Sequence, residues 1–188
     1  MTSATTPKTI LVRGEPDARE AIAAGAITPG HLIALNTAGK VVVHPTAGGV
    51  LPSKYFAREE EYTNANIDTA YATNDSVPYW HAKPGDQLFA LVPASAAAIV
   101  IGDLLESNGD GTLRKVAALL TDNSGGTANT TLQDISTTPL EAEIANNDAD
   151  LAAAINLLKG GSTGVARAVQ AVDNSAGITP ARILVEVV

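Results

Sequence analysis

Leu32-Ile33-Ala34-Leu35-Asn36-Thr37-Ala38-Gly39-Lys40-Val41-Val42-Val43 sets the fold class of this chain. Two short apolar runs, the second wholly β-branched, flank a polar stretch in which Gly39 can take positive φ at no steric cost. The pattern predicts a β-hairpin with its turn at Thr37-Ala38-Gly39-Lys40. Working outward, Ile10-Leu11-Val12 and Leu88-Phe89-Ala90-Leu91-Val92 are runs of the same kind. Gly, Pro, Asn and Asp punctuate them at roughly 8–12-residue spacing, the texture of an all-β sandwich or barrel.

One phrase recurs. Ala26-Ile27-Thr28-Pro29-Gly30-His31-Leu32-Ile33 is echoed by Ala98-Ile99-Val100-Ile101-Gly102-Asp103-Leu104-Leu105, and Pro84-Gly85-Asp86-Gln87-Leu88 uses the same device between them. In each, Gly permits the bend and the following polar residue can hydrogen-bond a nearby backbone N–H before a strand begins. Shared turn chemistry explains the echo more simply than duplication of two halves.

After Lys115 the texture changes. Thr121 to Thr131 is almost wholly small and polar, and Thr138-Pro139-Leu140-Glu141 then carries a helix start, with a capping Thr, Pro at the first helical position and a Glu that reaches back. Leu140, Ile144, Leu151, Ile155 and Leu158 form one apolar stripe, which would pack on the body or on copies of itself, and Gly160-Gly161 provides the stop. Val165 to Val172 and Arg182 to Val188 return to strand character. The expected fold is therefore mainly β, a sandwich or barrel body with an inserted α-helix. Its expected parts are an arm at 1–14, a β body at 15–116 and 165–188, and a loop-plus-helix insertion at 117–164.

The 188 residues are 45% hydrophobic, enough to fill a core, but only 4% aromatic. Twelve basic against twenty acidic residues give a net charge of −8, which repels phosphates and anionic membrane surfaces, so direct nucleic-acid or membrane binding is not expected. The absence of cysteine excludes disulfides, thiolate metal sites and thiol nucleophiles. Met1 to Pro7 lacks the basic-then-apolar order of a secretory signal, which points to synthesis and retention in the cytoplasm.

No residue is assigned a catalytic, metal-binding or cofactor-binding role. Gly160-Gly161-Ser162-Thr163-Gly164 matches a nucleophile-elbow pattern, but the element order around it is reversed, helix before and strand after. His31, His44 and His81 show no metal-ligand spacing, and Asn108-Gly109-Asp110-Gly111 reads as a hairpin turn rather than a calcium loop. Glu59-Glu60-Glu61 reads as a solvated acidic face. All seven aromatic residues lie between Tyr55 and Phe89, and within that cluster Tyr79-Trp80 would be a contact anchor if exposed.

The run Asn66-Ile67-Asp68-Thr69-Ala70-Tyr71-Ala72-Thr73-Asn74-Asp75-Ser76-Val77, followed by Pro84 to Leu88, Ile101 to Leu105 and Asn108 to Gly111, resembles the decoration or cement proteins of tailed-phage heads. The likeness covers roughly positions 8 to 116 and resumes at Val165 to Val188. The segment from Asn129 to Leu158 is similar to the helical part of some head-fibre proteins, whereas the shortest decoration proteins have nothing matching 117–164. The resemblance implies that the body is a small β-barrel or β-tulip-like fold, and that the chain is a non-enzymatic virion protein, made in the host cytoplasm and assembled as a homotrimer on the outside of the shell. Its implied partner is the major capsid protein, held through surface loops and an N-terminal arm that Lys8, Thr9, Ile10, Leu11, Val12 and Arg13 would match by adding a strand to a capsid sheet. Two other readings compete: a receptor- or glycan-binding head-fibre module, suggested by the aromatics and the helix, and a β-clip accessory domain of an enzyme, suggested by the Ala26 to Ile33 phrase.

Overall fold

A computed structural model describes residues 8–48, 51, 53–60, 66–116 and 164–188. The chain divides into two units, one of residues 1–116 with 163–188 and one of 117–162, and the described residues belong to the first. They form thirteen strands: β1 (Leu11–Arg13), β2 (Asp17–Ile22), β3 (Leu32–Leu35), β4 (Val41–Val43), β5 (Lys54–Ala57), β6 (Ser76–Ala82), β7 (Gln87–Val92), β8 (Ala96–Ile99), β9 (Leu104–Ser107), β10 (Leu113–Lys115), β11 (Ala166–Ala168), β12 (Val172–Asn174) and β13 (Ala181–Val187). The sheet orders are β1-β7-β13-β11-β9-β10, β2-β6-β5-β3-β4 and the pair β12-β8.

This corrects the expected fold class. The described residues are all-β, in three sheets, with no helix among them. They do not make a small β-barrel or β-tulip-like body, because the six-stranded sheet ends in β1 and β10 without pairing them to each other, and the five-stranded sheet likewise ends in β2 and β4. Short strands cut by turns pair with partners distant in sequence, so the apolar surface is buried by laying sheet on sheet instead of by closure. The inserted α-helix expected from Leu140, Ile144, Leu151, Ile155 and Leu158 lies outside the described residues.

The larger core is shared by two sheets. Leu88, Ala90 and Val92 of β7, Ile183, Val185 and Val187 of β13, and Ala166 and Ala168 of β11 share one face of the six-stranded sheet. They meet Leu32 of β3, Phe56 of β5 and Ala82 of β6 from the five-stranded sheet. Period-two alternation is clearest in β13, whose Ile183, Val185 and Val187 are buried between half-buried neighbours. The five-stranded sheet is apolar on its other face too. There Ile33, Val41, Ala57, Val77 and Tyr79 are covered by Ala23, Ile27 and Tyr71, through single bridges from Ala23 to Val41 and from Ile27 to Tyr71.

The hairpin that opened the sequence forms as expected, with Leu35 opposite Val41 and Gly39 at φ 73°. The recurring phrase is a turn used four times. His31, Asp75, Asp86 and Asp103 each donate their N–H to the carbonyl three residues back and accept that same residue's N–H on the side chain, at 2.7–3.1 Å. The preceding residue holds positive φ in every copy: Gly30 (90°), Asn74 (73°), Gly85 (92°) and Gly102 (93°). Each turn launches the next strand, respectively β3, β6, β7 and β9.

Candidate interaction edge

Of the arm residues, Lys8 and Thr9 are exposed, Ile10 is fully buried in the larger core, and Leu11 to Arg13 form β1 at the end of the chain's own six-stranded sheet. Ile10 is held from both sides, its carbonyl accepting the Phe89 N–H at 2.8 Å and its N–H donating to the buried Glu59 carboxylate at 3.1 Å. What this segment offers outward is the far side of β1, where Val12 is 50% exposed. Tyr79 is buried, and burial together with the neighbouring Tyr55 pushes its phenol pKa up. Trp80 is half-buried, with the Arg58 guanidinium 4.4 Å from its ring centroid. The residues expected to pack on the body or on copies of the chain, Leu140, Ile144, Leu151, Ile155 and Leu158, lie outside the described residues, as does Ser162.

His31 and His44 each hold a hydrogen bond within the fold. His31 Nδ1 accepts the Thr28 N–H at 3.1 Å, and burial lowers its pKa to about 4 against a smaller opposing pull from Asp110. His44 Nδ1 lies 2.7 Å from Ser107 Oγ, a Ser–His pair in which burial again lowers the imidazole pKa. Ser107 is wholly buried and its Oγ also accepts the Gly109 N–H at 3.1 Å, so this hydroxyl caps the β9–β10 turn. Among the described residues, no group of three or more His, Cys, Asp or Glu is placed to hold a metal ion, and no helix is long and apolar enough to cross a membrane.

The open surface of interest lies along β2, one end of the five-stranded sheet. It pairs with β6 in unbroken register, from Asp17 opposite His81 to Ile22 opposite Ser76. Every residue of β2 is exposed except the half-buried Ala21. Because antiparallel residues alternate between bonded and non-bonded pairs, and Ala23 donates to the Asp75 carbonyl at 2.8 Å, Asp17, Arg19 and Ala21 make the ladder bonds to β6. Pro78, which has no N–H, stands opposite Glu20 and turns its carbonyl to Arg58 N–H at 3.0 Å on the β5 side. The backbone groups of Ala18, Glu20 and Ile22 therefore point away from the sheet.

The side chains of β2 divide by face. Asp17 and Arg19 share a face with His81 and Tyr79 and fold back on their own sheet. Asp17 bonds Lys83 Nζ at 2.8 Å, which holds its carboxyl below the usual range, and the Arg19 guanidinium sits 6.0 Å from the centroid of Tyr55. Tyr55 packs edge-on against Tyr79 and His81, at 5.3 and 5.0 Å between centroids. On the other face an open groove of about 460 Å³ is lined by Ala18, Pro78, Glu20, Arg58, Glu59 and Glu60, with Arg19 at its margin. Sequence reasoning missed this edge, because Asp17-Ala18-Arg19-Glu20-Ala21 contains no β-branched or aromatic residue. The turn that launches β6 lies beside the end of β2, with Ser76 opposite Ile22, and lacks the Gly that marks the other turns of its kind.

No family model matches the chain, and no curated protein matches it.

Proposed function

We propose that this protein decorates the head of a tailed phage, binding the outside of the major capsid lattice and stabilising the shell by contact, with no covalent step. The observation that carries this reading is β1: a strand from the segment matching the shell-binding arm, at an open sheet end, with Val12 half-exposed at its outer side. The run on which the resemblance rests supports it further, since Asn66 to Gly111 forms successive turn–strand units with Asn66, Asp68 to Ala70 and Ala72 to Asp75 exposed. Many weak copies bridging neighbouring capsomers would raise the cost of rupture by avidity. The trimer implied by the resemblance belongs to the same proposal, and light scattering of the isolated protein tests it.

The direct experiment adds purified protein to expanded heads that lack it. Saturable binding and a higher rupture temperature are expected, and Val12→Asp, an exposed change, is expected to weaken binding about tenfold or more without loss of fold. Absence of saturable binding, with rupture unchanged, rejects the proposal.

A further inference from the structure

We infer that the outer edge of β2 is a docking site for an extended, basic segment of another protein, which adds a strand to the five-stranded sheet and lays alternate side chains in the adjoining groove. The inference does not depend on β1 or on a phage shell, so the two readings can fail separately. Three features converge on it. The edge is six residues long and free of bulges, and the N–H and C=O groups of Ala18, Glu20 and Ile22 face outward with no strand of the described fold beyond them. Such a row is a ready template for strand addition, which proteins ordinarily blunt with projecting charges, bulges or a cover. Here the charges at Asp17 and Arg19 are drawn back onto Lys83 and Tyr55, and the bulges are absent.

The groove supplies the second part of the site. Its lining includes the small residues Ala18 and Pro78 and three carboxylates, Glu20, Glu59 and Glu60, against the two guanidiniums of Arg19 and Arg58; Glu59 is held by the Ile10 N–H, so Glu20, exposed on β2 itself, is the carboxylate that would meet an added strand. Glu20 is exposed and accepts the Ser76 hydroxyl, which fixes its direction. An incoming Lys or Arg would sit diagonally or directly across from Glu20, the arrangement in which opposite charges stabilise a strand pair. A second copy of this chain is disfavoured as the occupant. Self-pairing centred on Glu20 or Arg19 sets like charges opposite each other, and centring on Ala18 brings Pro16, without an N–H, into the ladder. Each copy also carries a net charge of −8.

The test uses a fluorescein-labelled, acetylated peptide of alternating lysine and threonine, with a glutamate-for-lysine peptide as control. Anisotropy reads affinity, and amide hydrogen exchange by NMR reads the site. The lysine peptide is expected to bind saturably and to slow exchange at Ala18, Glu20 and Ile22, while the glutamate peptide does neither. Glu20→Lys, at an exposed position, is expected to weaken the lysine peptide at least about fivefold and to admit the glutamate peptide. Ala18→Pro removes an outward N–H and leaves the ladder to β6 intact, so it is expected to abolish protection while preserving the fold. Binding without protection at those amides, equal binding of both peptides, or unchanged binding to Glu20→Lys overturns the inference. So does protection of the same amides that rises with protein concentration alone, which would assign the edge to a second copy.

Discussion

His31 must be neutral to do its work, since Nδ1 is the acceptor that closes the turn before β3. Its ordinary pKa of 6.5 falls to about 4 in the fold, so the unfolded chain takes up a proton before the folded one does. The sign follows: stability is full above pH 6.5 and declines as pH falls toward about 4, a loss of roughly 3 kcal/mol from this residue alone. His31→Asn keeps a neutral acceptor and removes the titration. Urea midpoints measured from pH 7 to pH 4 should therefore fall less steeply in His31→Asn than in the parent, and parallel slopes would show that other groups govern the acid limb. A second residue ties the same turn down from outside. Arg182, with only 10% of its side chain exposed, donates to the Pro29 carbonyl at 2.8 Å, to the Ile67 carbonyl, and to Asp68 at 3.0 Å. Three acceptors in different directions suit the planar fork of Arg and not the single head of Lys.

At the scale of elements, the four shared turns separate two costs that are usually mixed. A Cβ at Gly102 would meet nothing within 4 Å, so Gly102→Ala should cost only the strain of positive φ, about 1–2 kcal/mol. A Cβ at Gly30 would stand 2.7 Å from Arg182 Nη1 and 3.0 Å from the Phe89 carbonyl, so Gly30→Ala should cost clearly more at nearly the same φ. Guanidinium unfolding of the two variants measures the difference, and equal losses would mean that the clamp yields freely. The turns also mark how far the sequence could be read. Pro29-Gly30, Pro84-Gly85 and Gly102-Asp103 were legible because Gly before a polar residue is turn chemistry. Asn74-Asp75 does the same job without a Gly, so it stood in the quoted run without being seen as a turn. Strands β2 and β8 were hidden for another reason. Asp17 to Ala21 and Ala96-Ala97-Ala98 are made of residues with little β preference, and only their neighbours β6 and β12 make them strands. Pro78 similarly disguised β6, since only its position at the end of β5 spares the ladder.

On the scale of the molecule, one core serves two sheets, so damage in one should be felt in the other. Ile183 of β13 is fully buried, and Ile183→Ala should cost about 2–5 kcal/mol, whereas Ile178→Ala, at a side chain 92% exposed, should stay within about 0.5 kcal/mol. Trp80, the single tryptophan, belongs to the five-stranded sheet and packs against the shared core. Its fluorescence should therefore report the Ile183→Ala loss at the same denaturant midpoint as far-ultraviolet circular dichroism. Midpoints that separate would show that the two sheets unfold independently. The sharing was not legible in the sequence, because alternation tells which side of a strand is apolar and not which sheet covers it.

The position of β13 has a consequence for how the protein is made. It lies between β7 and β11 in the six-stranded sheet, pairing with β7 over six residues from Ala181–Val92 to Glu186–Gln87. During synthesis β7 emerges from the ribosome long before its broadest partner exists, with Leu88, Ala90 and Val92 waiting for Ile183, Val185 and Val187. The six-stranded sheet is thus obliged to form late, and the nascent chain carries β7 with the edge that β13 will pair left open for much of its translation. That interval, rather than the finished fold, is where chaperone capture and aggregation compete for this protein.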